Sequence, residues 1–200
     1  MALRGFTGRR RAARDDLPPG QYDVGEDWPV LTAEATPRIM PEQWTMSVDG
    51  LVAEPRTWSW AELHELPESD YTGPIHCVTT WSKFDTRFTG VSVDLLLDAV
   101  APLPEATHVL ATSTTGYTTN LPLEHLRGGQ AWLAWAFDGQ PLSRDHGGPV
   151  RLLVPALYFW KSAKWVTRLT LLDHDQRGFW ERNGYHDLGD PWREQRYHGD

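Results

Sequence analysis

From Trp44 the chain alternates: Trp44, Met46 and Val48 fall on one side, Thr45, Ser47 and Asp49 on the other. That period of two is the pattern of a half-buried strand. Asp49-Gly50 then predicts a tight turn, with Leu51-Val52 opening a partner strand. Ser59-Trp60-Ala61-Glu62 has the spacing of a capping box ahead of Leu63 and Leu66, which predicts a short helix. Residues 75–80 are apolar and β-branched enough for a buried strand, and they carry His76 and Cys77. Behind Ser92, a good N-cap, Leu95, Leu96 and Ala99 fit one helical face. Further strands are predicted at 108–113, 117–121, 131–137, 150–154 and 164–172, and Asp138-Gly139 supplies a hairpin turn. Strands dominate and the helices between them are short, so the expected class is an α+β domain with a mostly antiparallel or mixed sheet.

The two ends differ from this body. Residues 1–26 combine an Arg cluster with Leu17-Pro18-Pro19-Gly20 and little apolar content, which predicts a disordered or loosely packed arm ahead of a domain over 27–200. From Asp173 onward the chain is rich in charge and His yet keeps Phe179, Trp180, Tyr185, Trp192 and Tyr197, so it is expected to wrap the domain by aromatic anchors.

Composition narrows the function classes. The chain has 200 residues, which fits one domain. Its net charge is −8, and the five Arg that precede Asp15 leave a body of 14 cations against 27 acids. Such a body repels nucleic-acid phosphates, and no nucleic-acid partner is expected. The longest apolar run, 152–160, has nine residues, whereas a spanning helix needs about 20, so no membrane partner is expected either. One cysteine excludes an internal disulfide framework and any CxxC metal site, and a reduced, cytoplasmic location is the expectation. Arg9-Arg10-Arg11 suggests a twin-arginine export signal, but residues 12–20 supply no apolar segment to complete it. The 11 Trp suggest a rigid core or an aromatic-lined pocket.

Two clusters can carry chemistry. Cys77 is either an inert core thiol or a soft metal ligand; no second Cys exists and the eight His show no HExxH spacing, so a metal on Cys77 would need a cofactor to complete its shell. The run Asp145-His146-Gly147-Gly148-Pro149-Val150-Arg151 is followed by Lys161-Ser162-Ala163-Lys164-Trp165. Its glycines allow close backbone approach to a ligand, and its Arg and Lys can hold a phosphate; a glycine turn with surface lysines is the plainer alternative.

Together, Ile75-His76-Cys77-Val78-Thr79-Thr80-Trp81-Ser82, Gly116-Tyr117-Thr118-Thr119-Asn120-Leu121-Pro122-Leu123 and the Asp145 to Trp165 cluster resemble the molybdopterin-binding domain of the sulfite oxidase family. The likeness covers about residues 28–197 and is greatest to small bacterial sulfite oxidase-like oxidoreductases, with the methionine sulfoxide reductase catalytic subunit a more distant relative. The resemblance implies a sulfite oxidase-type molybdopterin-binding fold. It also implies molybdenum held by the two dithiolene sulfurs of one molybdopterin, by oxo or hydroxo groups and by one protein thiolate, which Cys77 matches. Thr112, His146, Arg151, Ser162, Ala163 and Lys164 would contact the pterin or its phosphate, with Lys161 as an addition. Tyr117 matches an active-site tyrosine on the substrate side.

Animal and plant sulfite oxidases follow the cysteine with arginines that help bind sulfite, whereas Thr79-Thr80-Trp81-Ser82-Lys83 stands here. The expected activity is therefore two-electron oxygen-atom transfer on a small substrate other than sulfite. No residues remain for the haem and dimerisation domains of some relatives, so a separate electron-transfer partner is expected. Two rivals are a hydrolase that uses Cys77 as nucleophile and a molybdopterin-binding protein without turnover.

Overall fold

The computed structural model describes residues 14–200, and the Arg9 to Arg11 cluster lies outside the described residues. Fourteen regular elements, in chain order, build two sheets. The strands are β1 (Tyr22–Asp23), β2 (Thr45–Gly50), β3 (Arg56–Ser59), β4 (Glu68–His76), β5 (Trp81–Ser92), β6 (His108–Ser113), β7 (Thr118–Pro122), β8 (Trp132–Phe137), β9 (Gln140–Pro141), β10 (Arg151–Leu153) and β11 (Val166–Leu172). The helices are α1 (Trp60–Glu65), α2 (Val93–Val100) and α3 (Phe179–Arg182). One sheet runs β1-β5-β8-β10, with β4 on β5 and β9 on β8; the other runs β3-β2-β11-β6-β7. The pairs β1–β5 and β2–β11 are parallel and the remaining pairs antiparallel, so the sheet character is mixed as the sequence implies.

The principal core lies between the sheets. Met46 and Val48 from β2, Val109 and Ala111 from β6 and Leu169 and Leu171 from β11 meet Val91, Leu133 and Leu152 of the first sheet, with Leu96, Leu97 and Val100 of α2 in the same cluster. The outer face of the first sheet is covered too: Val24, Ile75, Cys77, Trp81, Phe88, Leu142 and Leu153 form a second apolar cluster. A sheet buried on both faces cannot show a simple alternation. Its central strand β5 accordingly carries no strand pattern in the sequence, because Ser82, Lys83, Thr86 and Thr89 are all buried in it. Each has a partner: His76 Nδ1 for Ser82, the Gly25 and Glu26 carbonyls for Lys83, the Gly73 carbonyl for Thr86 and Asp70 for Thr89.

Local signals held where one face alone is buried. Ser59 accepts from Glu62 N while Glu62 Oε2 accepts from Ser59 N at 2.8 Å, the full capping box of α1. Ser92 caps α2 by accepting from Asp94 N. Asp138 (φ 47°) and Gly139 (φ 74°) form the left-handed turn that joins β8 to β9. The first expected hairpin is shifted: β2 continues through Gly50, and its partner starts only at Arg56. Gly50 is required there by proximity, since a Cβ would lie 2.2 Å from the Leu171 carbonyl oxygen of β11.

The terminal segments also depart from expectation. Residues 14–26 are packed rather than loose: β1 pairs with Trp81 and Ser82, and Val24 is buried. The C-terminal arm wraps the domain, but Trp192 and Tyr197 are 54% and 55% exposed. Its firmest attachment is a buried carboxylate, Glu181, which accepts from Thr119 Oγ1, Trp160 Nε1 and Lys161 Nζ. Among the described residues no helix is long and apolar enough to cross a membrane.

Candidate functional site

A cavity of about 300 Å³ opens beside the second apolar cluster. It gathers Cys77, Tyr117, His146, Arg151, Ser162, Ala163 and Lys164, residues 87 positions apart in the chain at the extremes. Trp28 to Glu34 borders it from the N-terminal side and Trp180 and Tyr185 from the C-terminal arm.

Cys77 does not lie in a strand. β4 ends at His76, and Cys77 opens a turn that returns the chain to β5, with Cys77 N donating to Trp81 O at 2.8 Å and Thr80 N to Cys77 O at 3.1 Å. Val78, Thr79 and Thr80 look like strand residues by type, but Thr80 adopts φ 75°, a conformation that local propensity does not anticipate. The turn aims the Cys77 thiol into the cavity, where Sγ sits 3.2 Å from Thr79 Oγ1. Burial pushes the thiol's pKa up. An ion able to displace the thiol proton would find a soft ligand here.

His76 does not serve Cys77. It lies outside the cavity lining, its Nδ1 is 2.7 Å from Ser82 Oγ, and burial lowers its pKa to about 4. The nucleophile–base pair of the hydrolase rival is therefore not formed by these two neighbours.

The cations divide into two kinds. Arg151 is 1% exposed, and its guanidinium donates to His146 O at 2.7 Å and Ser162 O at 2.8 Å. Lys164 Nζ donates to Leu31 O at 2.8 Å and Asp145 O at 2.6 Å. Among the described residues no carboxylate forms an ion pair with either, so burial lowers the pKa of Arg151 to about 9 and that of Lys164 to about 8. Two poorly neutralised cations facing one cavity form a site for an anion. Trp81 adds a buried indole N–H with no partner among the described residues, also in the lining. These donors and the Cys77 sulfur fit a ligand that carries both an anionic group and a soft metal.

Lys161 is the other kind. Its ammonium is wholly buried and is used up by Glu181 Oε1 at 2.6 Å, Asn120 O and Oδ1 at 2.9 Å and Asp187 O at 2.6 Å. It stands outside the cavity lining and ties the C-terminal arm to the core, which corrects its expected place among the ligand contacts. Thr112 is likewise not in the lining; it sits within β6 opposite Thr118 and Arg168.

The remaining expected positions line the cavity. His146 stacks on Trp28 with ring centroids 3.7 Å apart, and burial together with Arg151 lowers its pKa to about 4. Ser162 Oγ accepts from Val154 N, and the Ala163 carbonyl from Leu152 N, so this stretch is pinned alongside β10. Gly147 (φ 108°) lets the preceding turn close on it, where a Cβ would meet Arg151 Cβ at 3.0 Å and Lys164 Cα at 3.1 Å. Tyr117 donates its phenol proton to Trp160 O at 2.7 Å. Burial holds that phenol well above its ordinary pKa, so it stays neutral in the cavity lining.

Sequence reasoning missed the aromatic surround and one acid. Trp28, Phe159, Trp160, Trp180 and Tyr185 line the cavity with Glu34, its one carboxylate among the described residues. The abundance of Trp was the available signal, but positions on three separate segments carried no common motif. Lys83, the one cation in the run after Cys77, points elsewhere: its Nζ donates to Gly25 O at 2.9 Å and Glu26 O at 3.1 Å.

A family model described as the oxidoreductase molybdopterin binding domain matches residues 33–180. The uncharacterized oxidoreductase YuiH of Bacillus subtilis is 39% identical over 182 residues, which is 90% of this chain and 91% of that protein. The protein-methionine-sulfoxide reductase catalytic subunit MsrP of Gluconobacter oxydans is 29% identical over 180 residues, 81% of this chain and 56% of that protein. The chain thus spans about half the length of the latter. Among solved structures, the sulfane dehydrogenase SoxCD from Paracoccus pantotrophus superposes with a TM-score of 0.66 at 21% identity, over 74% of this chain and 42% of that one. That likeness speaks to the fold.

Proposed function

The chain belongs to the oxidoreductase molybdopterin-binding domain family and is an enzyme that uses molybdenum bound to molybdopterin, and from that premise we propose that it transfers oxygen atoms to or from small neutral substrates such as a sulfoxide or an N-oxide. The observation that carries the reading is the distribution of charge in the cavity. Arg151 and Lys164 supply cations that form no ion pair among the described residues, while Val78, Trp160, Trp180 and Tyr185 give the lining an apolar and aromatic portion, with Glu34 as its carboxylate. Anion binding is thereby assigned to the cofactor and apolar contact to the substrate.

When bound, the cofactor supplies two-electron redox chemistry with oxygen-atom transfer. In this proposal Cys77 gives the metal its protein thiolate. Arg151 and Lys164 hold the phosphate, with the Ser162-Ala163 backbone and His146 shaping the space between them. Trp81 offers its indole N–H to the same ligand. Tyr117 and the aromatic walls exclude water and orient the substrate, and the neutral phenol can rotate its proton from the Trp160 carbonyl toward a polarised substrate oxygen. Once Arg151 and Lys164 are committed to the cofactor phosphate, a dianion such as sulfite gains nothing from Lys83, which is engaged elsewhere, and meets the like charge of Glu34 in the lining. Electrons pass to or from a separate partner protein.

Metal analysis with fluorescence of the released pterin, followed by steady-state assays with an artificial electron partner, tests the proposal. Neutral oxides are expected to turn over in preference to sulfite; sulfite as the clearly preferred substrate overturns the substrate class.

A further inference from the structure

Four backbone carbonyls define the Cys77–Thr80 turn, and all four are occupied. Cys77 O accepts from Gln21 Nε2 at 3.1 Å, Val78 O from Arg196 Nη1 at 2.6 Å, Thr79 O from Thr80 Oγ1 at 2.6 Å and Thr80 O from Tyr22 N at 2.9 Å. Gln21, Tyr22 and Arg196 come from segments remote in the chain, before β4 or near its C-terminal end.

We infer that Gln21 and Arg196 are positioning residues for Cys77, holding two successive carbonyls of the turn so that the thiolate is presented to the metal in one orientation and beside a fixed positive charge. The inference rests on the assignment of Cys77 as the metal's thiolate. Without outside support the turn is unfavourable, since Thr80, a β-branched residue, sits at φ 75°. Such a conformation persists where surrounding contacts over-determine it. Gln21 reaches across the turn's base, its Nε2 on the Cys77 carbonyl and its Oε1 3.4 Å from Ser82 Oγ, which is itself bonded to His76. Arg196 holds the next carbonyl. Its side chain is 14% exposed, stacks over the Tyr158 ring with Cζ 5.1 Å from the centroid, and donates to both Val78 O and Pro19 O. A planar fork can span two carbonyls in this way, whereas an ammonium has no such fixed geometry.

The charge has its own consequence. Glu194 Oε1 is 4.0 Å from Arg196 Nη2, at the limit of an ion pair, and is half exposed, so the guanidinium is only weakly neutralised. A cation held near a thiolate favours electron density remaining on sulfur, which weakens donation to a bound metal and raises its reduction potential. Neither residue lines the cavity, so each acts through Cys77 rather than on substrate.

The test uses the cofactor-loaded protein, normalised to molybdenum content, and reads the sulfur-to-metal charge-transfer absorption, the metal's reduction potential, and kcat and KM. Arg196→Met is expected to shift the absorption, lower the potential and reduce kcat roughly tenfold at unchanged KM, equivalent to ~1.4 kcal/mol on the barrier. Arg196→Lys keeps the charge and should recover most of the potential without recovering the absorption. Gln21→Leu should move the absorption and leave the potential near wild type. Loaded Arg196→Met and Gln21→Leu proteins with wild-type absorption and potential overturn the inference, even if both melt at lower temperature. If Arg196→Met fails to load, the Arg196→Lys and Gln21→Leu spectra decide on the same criterion. Cys77→Ser separates the two levels: an absorption band that survives in Cys77→Ser removes the thiolate assignment itself, whereas a band lost there but unmoved in the others removes only the positioning role.

Discussion

Replacing Arg151 by Met removes a buried cation whose charge the fold does not neutralise, and its effects on empty and loaded protein should have different sizes. In the empty protein two opposing changes occur. The carbonyls of His146 and Ser162 lose their donors, a cost of about 1–3 kcal/mol each where no water replaces them. Against this, the penalty for burying the charge disappears; a pKa lowered from 12.5 to about 9 corresponds to roughly 5 kcal/mol at 1.36 kcal/mol per pH unit. The sign follows from the depressed value: the folded state carries the full penalty below about pH 9 and sheds it as pH rises toward 12.5. The two changes nearly offset each other, so the melting temperature of empty Arg151→Met should lie within a few degrees of wild type at neutral pH. In the loaded protein the variant also loses its bonds to the phosphate, about 1.5–3 kcal/mol for each charge-assisted hydrogen bond, or about 10- to 150-fold in cofactor affinity. Thermal melts of empty and loaded protein, with cofactor occupancy after gel filtration, measure both. A variant that retains cofactor like wild type, or whose empty form collapses while its loaded form is unaffected, refutes the assignment of Arg151 to the anion.

Other expectations concern neighbouring groups. Cys77→Ser should abolish the thiolate contribution to the metal's spectrum and the activity while the fold survives, because an alcohol is a harder and far less acidic ligand than a thiol; circular dichroism and metal spectra check it. Lys164, with its pKa lowered to about 8, should grip an incoming anion below that pH and release its share of affinity as pH rises through it, whereas Lys164→Arg should flatten the dependence between pH 7 and 9 when cofactor uptake is followed by fluorescence. Lys161→Met leaves Glu181 buried without its counter-charge and should cost about 3–5 kcal/mol; chemical denaturation should show Lys161→Met with Glu181→Met to be less damaging than Lys161→Met alone. Ser59→Ala, which removes one half of a capping box far from the cavity, should cost about 0.5–2 kcal/mol in the same assay and leave cofactor retention unchanged.

The parts of the fold legible in the sequence are those where a single face is buried. Met46 and Val48 alternate with more exposed neighbours because β2 faces the core on one side only, and both are fully buried. The strand β5 obeys no such rule. Its polar side chains are buried against partners drawn from β4 and the segment after β1, and no local pattern encodes them. The Cys77 turn reads as strand in the sequence for a related reason: β-branched Val78, Thr79 and Thr80 favour extension, and the contacts from Gln21, Tyr22 and Arg196 override that preference. Of the residues matched by motif, Cys77, Tyr117, His146, Arg151, Ser162, Ala163 and Lys164 line the cavity and Thr112 and Lys161 do not, whereas Trp28, Glu34, Trp180 and Tyr185 arrive from segments without a motif.

The basic residues between Arg151 and Lys164 show why type and spacing alone could not separate cations that face the cavity from one that is structural. Arg151, Lys161 and Lys164 look equally suited to a phosphate in the sequence, and two of them are buried. What distinguishes them is whether the fold supplies the counter-charge. Glu181, on the C-terminal arm, neutralises Lys161 and thereby fixes Trp160 and the arm that carries Trp180 and Tyr185, so this cation sets the shape of the aromatic wall. No carboxylate among the described residues performs that service for Arg151 or Lys164, and each is held by neutral carbonyls. Carbonyls orient a cation without discharging it, which leaves its field available to an anion that enters later. In the proposed reading the same segment therefore does two jobs: one cation builds the aromatic wall, and the two that the fold leaves without an ion pair await the cofactor phosphate.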